Sequence, residues 1–142
     1  MKREQYAALV AQGYTHIPVM REIMADLETA LTLYLKLANA PFSYLLESVQ
    51  GGEKWGRYTI IGLPARTLLT VCDRVIRISR DGVVTENFHA DDPLQVVQEF
   101  KARFRVPELP GMPRFNGGLV GYFGYDIVRF IEKRLDIAYK PD

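Results

Sequence analysis

The sequence is poor in the residues that build disulfides, metal sites and membrane spans. Cys72 is the only cysteine among 142 residues, which excludes an internal disulfide and leaves no cysteine cluster for a structural zinc. No apolar run is long enough to cross a bilayer, and the charged stretch from Met1 to Tyr14 is too interrupted for a signal peptide. We therefore predict a soluble, cytoplasmic protein. Because Leu69, Val71 and Val75 are its neighbours, Cys72 is expected in the core.

An excess of charge of either sign is also missing. Lys and Arg number 18 against 17 Asp and Glu, a formal net charge of +1 at pH 7. No global field therefore favours nucleic acid, a membrane surface or an acidic partner. The aromatic residues Tyr122, Phe123 and Tyr125 lack interleaved basic residues, which argues against a stacking surface for nucleic acid. The sequence predicts local binding, with neither nucleic acid nor a membrane as partner.

No residues have the spacing of a catalytic set or a metal site. His16 and His89 are the only histidines, and neither has a partner at the spacing of a metal site or a triad. Gly118, Gly121 and Gly124 are three apart, which fits neither a dinucleotide fingerprint nor a Walker loop. We predict no catalytic residue, metal ligand or cofactor in this chain, and we expect these glycines to allow close packing within a strand.

Capping residues and apolar spacing predict four helices. Gly13 ends the first, and Thr29 is a suitable N-cap for the second. Asp92 caps the third, where Pro93 takes the first position and Gln95 completes a capping box. The predicted helices are Arg3–Gln12, one after Thr29, one after Asp92, and Asp126–Lys133. Buried stripes are expected at Leu27, Leu31, Tyr34, Leu35 and Ala38 in the second helix and at Leu94, Val97, Phe100 and Phe104 in the third.

The remaining periodic segments predict strands. Asp81 and Gly82 form a two-residue hairpin turn, since glycine tolerates the positive φ that such turns require. No helix of crossover length separates these strands, which favours an antiparallel sheet. The predicted fold is α+β, a mainly antiparallel sheet with packed helices in one domain of residues 1–142. The strands are the segment around Leu45–Ser48, then Arg57–Gly62, Thr67–Val71, Val75–Ser79, Val83–Asn87 and Gly117–Tyr125.

The first of these strands carries the most informative polar residues. Glu47 and Ser48 stand at the end of an otherwise apolar run, PFSYLLES, whose two faces both read as apolar and therefore as buried. A carboxylate and a hydroxyl in such a place need a partner, and a ligand could provide it. The alternative is internal: an ion pair of Glu47 with Lys54 or Arg57, and a bond from Ser48 to nearby backbone.

Three motifs make the chain recognisable. They are LLES at positions 45–48, GGEKWGRYTIIG from Gly51 to Gly62, and RFNGGLVGYFGYDIVR from Arg114 to Arg129. Together they resemble the amino-terminal region of the large subunit, component I, of anthranilate synthase, over about Ile17 to Lys140. LLES with GRYT is typical of that subunit. The glycine-rich segment is also similar to aminodeoxychorismate and isochorismate synthases.

The resemblance implies both an activity and an inhibitor site. In the family, component I converts chorismate to anthranilate, a lyase reaction that uses magnesium and ammonia from a glutamine amidotransferase partner, component II. The chorismate site and the magnesium ligands lie in the carboxy-terminal part, so this chain alone is expected to be inactive. Tryptophan binds at the LLES strand and causes allosteric feedback inhibition. The matching positions are Leu46, Glu47 and Ser48, with Arg57, Tyr58 and Thr59 in a supporting role.

Three alternatives stay open at this point. The chain could belong to component I of aminodeoxychorismate synthase, although LLES weighs against it. It could be a free-standing amino-acid-binding regulatory module, because a polar pair lies in an apolar strand and no catalytic set is nearby. It could also be a purely structural domain in which Glu47 and Ser48 are satisfied internally.

Overall fold

The computed structural model describes residues 1–48, 58–113, 115–132 and 134–135. Helices and antiparallel sheets occur together in these ranges, so the predicted α+β fold is confirmed. The chain divides into two compact units. Unit 1 comprises Met1–Glu22, Val71–Ile76 and Phe88–Asp142, and unit 2 comprises Ile23–Thr70 and Arg77–Asn87. The single domain over residues 1–142 stays a prediction.

The helices are α1 Arg3–Ala11, α2 Ala30–Leu37, α3 Pro93–Ala102 and α4 Val128–Ile131, with a 3-10 turn at Tyr125–Ile127 before α4. The strands are β1 Tyr44–Glu47, β2 Thr59–Gly62, β3 Thr67–Cys72, β4 Val75–Arg80 and β5 Val83–His89. Strands β1 and β2 form one sheet, and β3, β4 and β5 form another in that order. None of the helices in the described ranges has the length and apolar character of a bilayer span.

The predicted helix ends are confirmed where a capping side chain or a glycine sets them. Gly13 follows α1 with a φ of 83°, which glycine adopts without the penalty that other residues incur. The Thr29 hydroxyl accepts a hydrogen bond from the Thr32 N–H at 3.1 Å. The Asp92 carboxylate accepts bonds from the N–H groups of Leu94 at 3.0 Å and Gln95 at 3.1 Å.

The capping box predicted at Gln95 is wrong. Its side-chain amide donates instead to the Glu99 carboxylate at 2.8 Å, one turn further along α3. The two residues are four apart, where side chains on a helix face each other. The cap of α3 therefore comes from Asp92 alone, with Pro93 at the first helical position.

The core is small in each unit. Among the described residues the buried apolar side chains are Ile76 and Phe100 in unit 1 and Ala38 and Ile78 in unit 2, together with prolines 93 and 107. The stripe predicted for α3 is only partly buried, since Leu94 and Val97 are half-buried and Phe104 is exposed. The core position of Cys72 is wrong: it is exposed, because it ends β3 immediately before a turn.

The stripe predicted for the second helix divides between two sides of α2. Ala38, directly after the helix, is buried, and Tyr34 is half-buried. Leu27, Leu31 and Leu35 are exposed. Spacing shows which residues share a helix surface, but only the neighbouring elements decide whether that surface is covered.

The strand predicted at Gly117–Tyr125 is also wrong. Gly117 and Gly118 have φ values of 134° and 152°, and no strand in the described part of the chain pairs with this segment. A strand needs the hydrogen-bond ladder of a neighbour. Close packing at the glycines is not found either, since a Cβ on Gly121 or Gly124 would meet nothing within 4 Å. The helix expected at Asp126–Lys133 is the 3-10 turn and α4, and Lys133 lies outside the described residues.

An ion pair between a buried arginine and an exposed aspartate in unit 1 was not predicted. Arg129 on α4 is 8% exposed, and its Nη2 donates to the Asp73 carboxylate at 2.6 Å. The guanidinium also lies 4.9 Å from the centre of the Phe130 ring. Asp73 has a φ of 52° in the turn between β3 and β4, a conformation that Asp tolerates better than most residues. The pair connects this turn to α4.

Candidate functional site

The residues predicted to bind an inhibitor lie at one end of the β1–β2 hairpin. The strands are antiparallel, and the register places Leu46 opposite Ile60 and Glu47 opposite Thr59. Directly opposite residues of an antiparallel pair project to the same face, and successive residues alternate. Glu47 and Thr59 therefore share one face, and Leu46 and Ile60 share the other. The hairpin brings together a carboxylate, a hydroxyl and two apolar side chains.

Two further residues extend this end of the hairpin. Ser48 immediately follows β1, and Tyr58 immediately precedes β2. Both are exposed, and Tyr58 retains 69% of its accessible surface. Arg57, the remaining predicted residue, lies outside the described residues. The structure thus places five of the six predicted residues next to one another in the fold, although they come from two separate segments of the sequence.

The expectation that both faces of this strand are buried is wrong. Tyr44 and Leu45 are half-buried, whereas Leu46, Glu47 and Ser48 are exposed. Among the described residues this sheet has two strands, and α2 lies against β2, so none of them covers the end of the hairpin that carries Glu47 and Ser48. Within the described residues no hydrogen bond or ion pair reaches the side chains of Glu47 and Ser48. The alternative partners Lys54 and Arg57 lie outside those residues.

The geometry limits how one ligand could contact both polar residues. If the alternation of β1 continues, Ser48 projects to the face of Leu46 and Glu47 to the opposite face. A ligand that contacts both must therefore bind at the tip of the hairpin rather than lie on one face. At that position a carboxylate can accept from a cation, and a hydroxyl can donate to an anion. Tyr58 and Leu46 offer apolar surface beside them.

The open end of the hairpin, opposite the tip, is held by close packing. A Cβ on Gly62 would lie 2.0 Å from Cε1 of Tyr44, the residue opposite it in the register, so the tyrosine ring occupies the space that a side chain would need. The Tyr34 hydroxyl and the Ser43 hydroxyl are 2.8 Å apart, and Ser43 also donates to the Ala40 carbonyl at 2.7 Å. These contacts fix where β1 begins, and hence where Glu47 lies. Sequence reasoning did not identify Gly62 as a close-contact position.

Ion pairs change the pKa values of side chains elsewhere in unit 2. Arg66 donates from Nε and Nη2 to the two oxygens of Asp81 at 2.6 Å and 2.7 Å. Hydrogen bonding to Arg66 lowers the pKa of Asp81, and Asp81 in turn raises the pKa of Arg66. The bond from Lys36 lowers the pKa of Glu28. Glu28 is half-buried and Asp81 is exposed, and both pairs lie at the surface, so they contribute little to stability.

Two clefts lie among the described residues of unit 1, and the hairpin residues line neither of them. One, of about 580 Å³, includes His16, Lys101, Phe104, Asn116, Gly118 and Leu119 in its lining. The centres of the His16 and Phe104 rings are 4.8 Å apart. The other, of about 490 Å³, lies between α1 and the segment around Pro110. Among the described residues no group of three His, Cys, Asp or Glu side chains is arranged to hold a metal ion.

The chain is similar over its whole length to proteins called anthranilate synthase component 1. It is 63% identical to that of Pseudomonas aeruginosa and 56% identical to that of Pseudomonas putida, each over all 142 residues and 29% of the relative's length. It is 48% identical to that of Neisseria meningitidis serogroup B over 128 residues, 90% of this chain and 26% of the relative. No protein-family model and no solved structure matches the chain.

The matched part of the two Pseudomonas relatives is their amino-terminal 29%. The chain thus spans less than a third of the length of the curated relatives that it matches. The resemblance drawn from LLES, GRYTIIG and the glycine-rich segment is confirmed. Over its whole length, the chain is a relative of the amino-terminal region of anthranilate synthase component 1.

Proposed function

We propose that this chain is the amino-terminal, tryptophan-sensing part of an anthranilate synthase component 1 subunit. The whole subunit converts chorismate to anthranilate in the cytoplasm, with magnesium and with ammonia supplied by a glutamine amidotransferase, component II. The chain alone is inactive, because the chorismate site and the magnesium ligands belong to downstream polypeptide. The observation that carries the proposal is the 63% identity over the full chain to a relative named anthranilate synthase component 1.

The hairpin tip has chemistry that suits a free amino acid. The Glu47 carboxylate can accept hydrogen bonds from the ammonium group of tryptophan. Ser48 can donate to its carboxylate, with Arg57 as a second donor. Leu46 and Tyr58 give the indole an apolar surface, and Thr59 lies opposite Glu47 in the register. Because the polar residues of this tip are exposed, the pocket needs a second wall, which we assign to the downstream polypeptide.

Inhibition then follows from linkage between two sites. Tryptophan that binds one arrangement of the two parts more tightly shifts the subunit toward that arrangement. If chorismate favours the other arrangement, tryptophan weakens chorismate binding, and chorismate weakens tryptophan binding by the same factor. The amino-terminal part thus acts as the sensor, and the downstream part carries the reaction.

The experiment uses this chain joined to the downstream polypeptide of the Pseudomonas aeruginosa relative, referred to below as the longer chain. Anthranilate fluorescence is followed with chorismate, magnesium and ammonium, with and without tryptophan. Removal of the Ser48 hydroxyl by Ser48→Ala deletes a hydrogen bond to a charged group. We expect it to raise the tryptophan concentration for half inhibition about tenfold. The KM for chorismate should not change.

Thr67→Ala is the matched control, since it removes an exposed hydroxyl from the first residue of β3. It should leave both inhibition and activity unchanged. Equal inhibition of the parent and of Ser48→Ala would overturn the assignment of the sensor site. Anthranilate formation by the 142-residue chain alone would show that the active site is not downstream.

No observation favours the alternative functions. The relatives described above carry the name anthranilate synthase component 1, and none of them is named aminodeoxychorismate synthase. A free-standing sensor would bind tryptophan tightly without downstream polypeptide. Calorimetry on the 142-residue chain separates these cases, because our proposal predicts weak binding or none.

A further inference from the structure

Helix α2 is apolar on more than one side. On its inner side Ala38 is buried, and the Tyr34 hydroxyl lies 2.8 Å from that of Ser43, just before β1. The helix also contacts β2. This side packs in the usual way for a helix that covers one face of a small sheet.

A second apolar side of α2 is exposed. Leu31 and Leu35 lie one turn apart and are 56% and 53% exposed, and Leu27, in the turn before the helix, is 99% exposed. We call these three residues the leucine face. Ile23 and Met24, also largely exposed, precede it in the chain. A single exposed leucine is ordinary, whereas a row of large apolar residues marks a surface that another segment or molecule covers.

The remaining side of α2 is polar and internally paired. The Thr32 hydroxyl donates to a Glu28 carboxylate oxygen at 2.9 Å, and Lys36 forms an ion pair with the same carboxylate. The boundary of the leucine face therefore carries no unpaired charge from these residues. Transient interfaces use polar and charged groups around their apolar centre, whereas permanently covered surfaces resemble a protein core. The leucine face has the apolar composition of the second kind.

The lengths of the relatives favour one occupant. About seven tenths of each Pseudomonas relative lies beyond the region that this chain matches. Polypeptide of that length, always present at the same stoichiometry, is the simplest permanent cover for an uncharged leucine surface. A second copy of the chain and the amidotransferase partner are the competing occupants.

We infer that the leucine face docks against the downstream polypeptide of the same subunit and makes α2 an inner layer of the whole subunit. The inference rests on the proposed function only in that a downstream part exists. It concerns a helix on which we place no inhibitor-binding residue. Docking at α2 would connect the downstream part to the same small unit that carries the β1–β2 hairpin.

Thiol labelling tests this inference directly. Leu35→Cys and Lys36→Cys place a thiol on adjacent positions of α2, the first on the leucine face and the second on the polar side. Each variant is prepared in the longer chain and in the 142-residue chain, and peptide masses locate the label, because Cys72 is itself exposed. A covered thiol reacts only through local opening, so Leu35→Cys should label about tenfold or more slowly in the longer chain.

The matched variant Lys36→Cys should label at similar rates in both chains, and Leu31→Cys should behave as Leu35→Cys. Equal rates for Leu35→Cys in the two chains would overturn the inference. Protection of Leu35→Cys in the 142-residue chain that grows with its concentration would also overturn it, because a second copy would then be the occupant. Protection that appears only after component II is added would overturn it in favour of that partner. Activity and tryptophan inhibition of the longer chain are measured separately, so failure of the docking and failure of the proposed function give different results.

Discussion

Two hairpins of this molecule differ in what fixes them. The β4–β5 hairpin turns through adjacent Asp81 and Gly82, whose φ values of 51° and 80° suit a tight two-residue turn. Arg66 binds the Asp81 carboxylate through two hydrogen bonds. In the β1–β2 hairpin residues 49–57 of the connection lie outside the described ranges, and its described part is fixed by the Tyr44 ring over Gly62. The described contacts thus fix one hairpin at its turn and the other across its strands.

The difference bears on function. At the turn of the β4–β5 hairpin the Asp81 carboxylate already has Arg66 as a partner. The β1–β2 hairpin presents Glu47 and Ser48 at an end with no described cover. Such an end can accept a ligand and a second wall at the same time. The following substitutions test whether the two hairpins differ in this way.

The largest effect is expected at Gly62. Gly62→Ala places a methyl group 2.0 Å from the Tyr44 ring, which must move out of its half-buried position. Overpacking of this kind should lower the free energy of unfolding by about 2 kcal/mol, measured by urea titration. In a Tyr44→Leu background the same substitution should cost clearly less. An equal cost in both backgrounds would show that the ring does not determine the effect.

A smaller effect is expected at Gly82. A Cβ there would meet nothing within 4 Å, so the cost of Gly82→Ala comes only from the φ of 80°. The free energy of unfolding should fall by about 1 kcal/mol. Gly82→Asn should cost less, because Asn tolerates this conformation. If the two variants are equally destabilised, the turn has another backbone geometry.

The smallest effect is a pH dependence at Asp81. The Arg66 hydrogen bonds hold the pKa of Asp81 below its ordinary value of 3.8. A lowered pKa means that the ionised pair stabilises the fold above pH 3.8, and that this contribution is lost as the pH falls through the folded-state value. Asp81→Asn should therefore have a lower melting midpoint than the parent at neutral pH and converge with it in acid. Arg66→Gln should behave in the same way, and a difference that does not change with pH would contradict this account.

Local chemistry made part of the fold predictable. The Thr29 and Asp92 caps, the glycine after α1 and the Asp81–Gly82 turn each act within about three residues, so the sequence alone indicated them. Long-range facts were not accessible in this way. The burial of Leu31 and Leu35 depends on what lies beside α2, and the strand expected around Gly121 depends on a pairing partner. The residue pattern indicates neither the neighbours of α2 nor a pairing partner for that strand.

The candidate site shows the same division. LLES and GRYT identified the residues, and the antiparallel register brought Glu47 and Thr59 together as adjacent strands require. The prediction that these residues are buried was wrong. Apolar residues on both faces of a strand indicate that the strand should be covered, but they do not show that any neighbouring element covers it. Gly62 could have been suspected, because a glycine inside a strand often lies where another group approaches closely.

The Arg129–Asp73 ion pair has a consequence for how this polypeptide is made. Its two members are 56 residues apart in sequence, and a nascent chain emerges from its amino end. The turn after β3 therefore leaves the ribosome well before Arg129, whose guanidinium binds Asp73 in that turn. Until α4 follows, the turn at Asp73 lacks this ion pair, so the contact between the turn and α4 can form only late in synthesis.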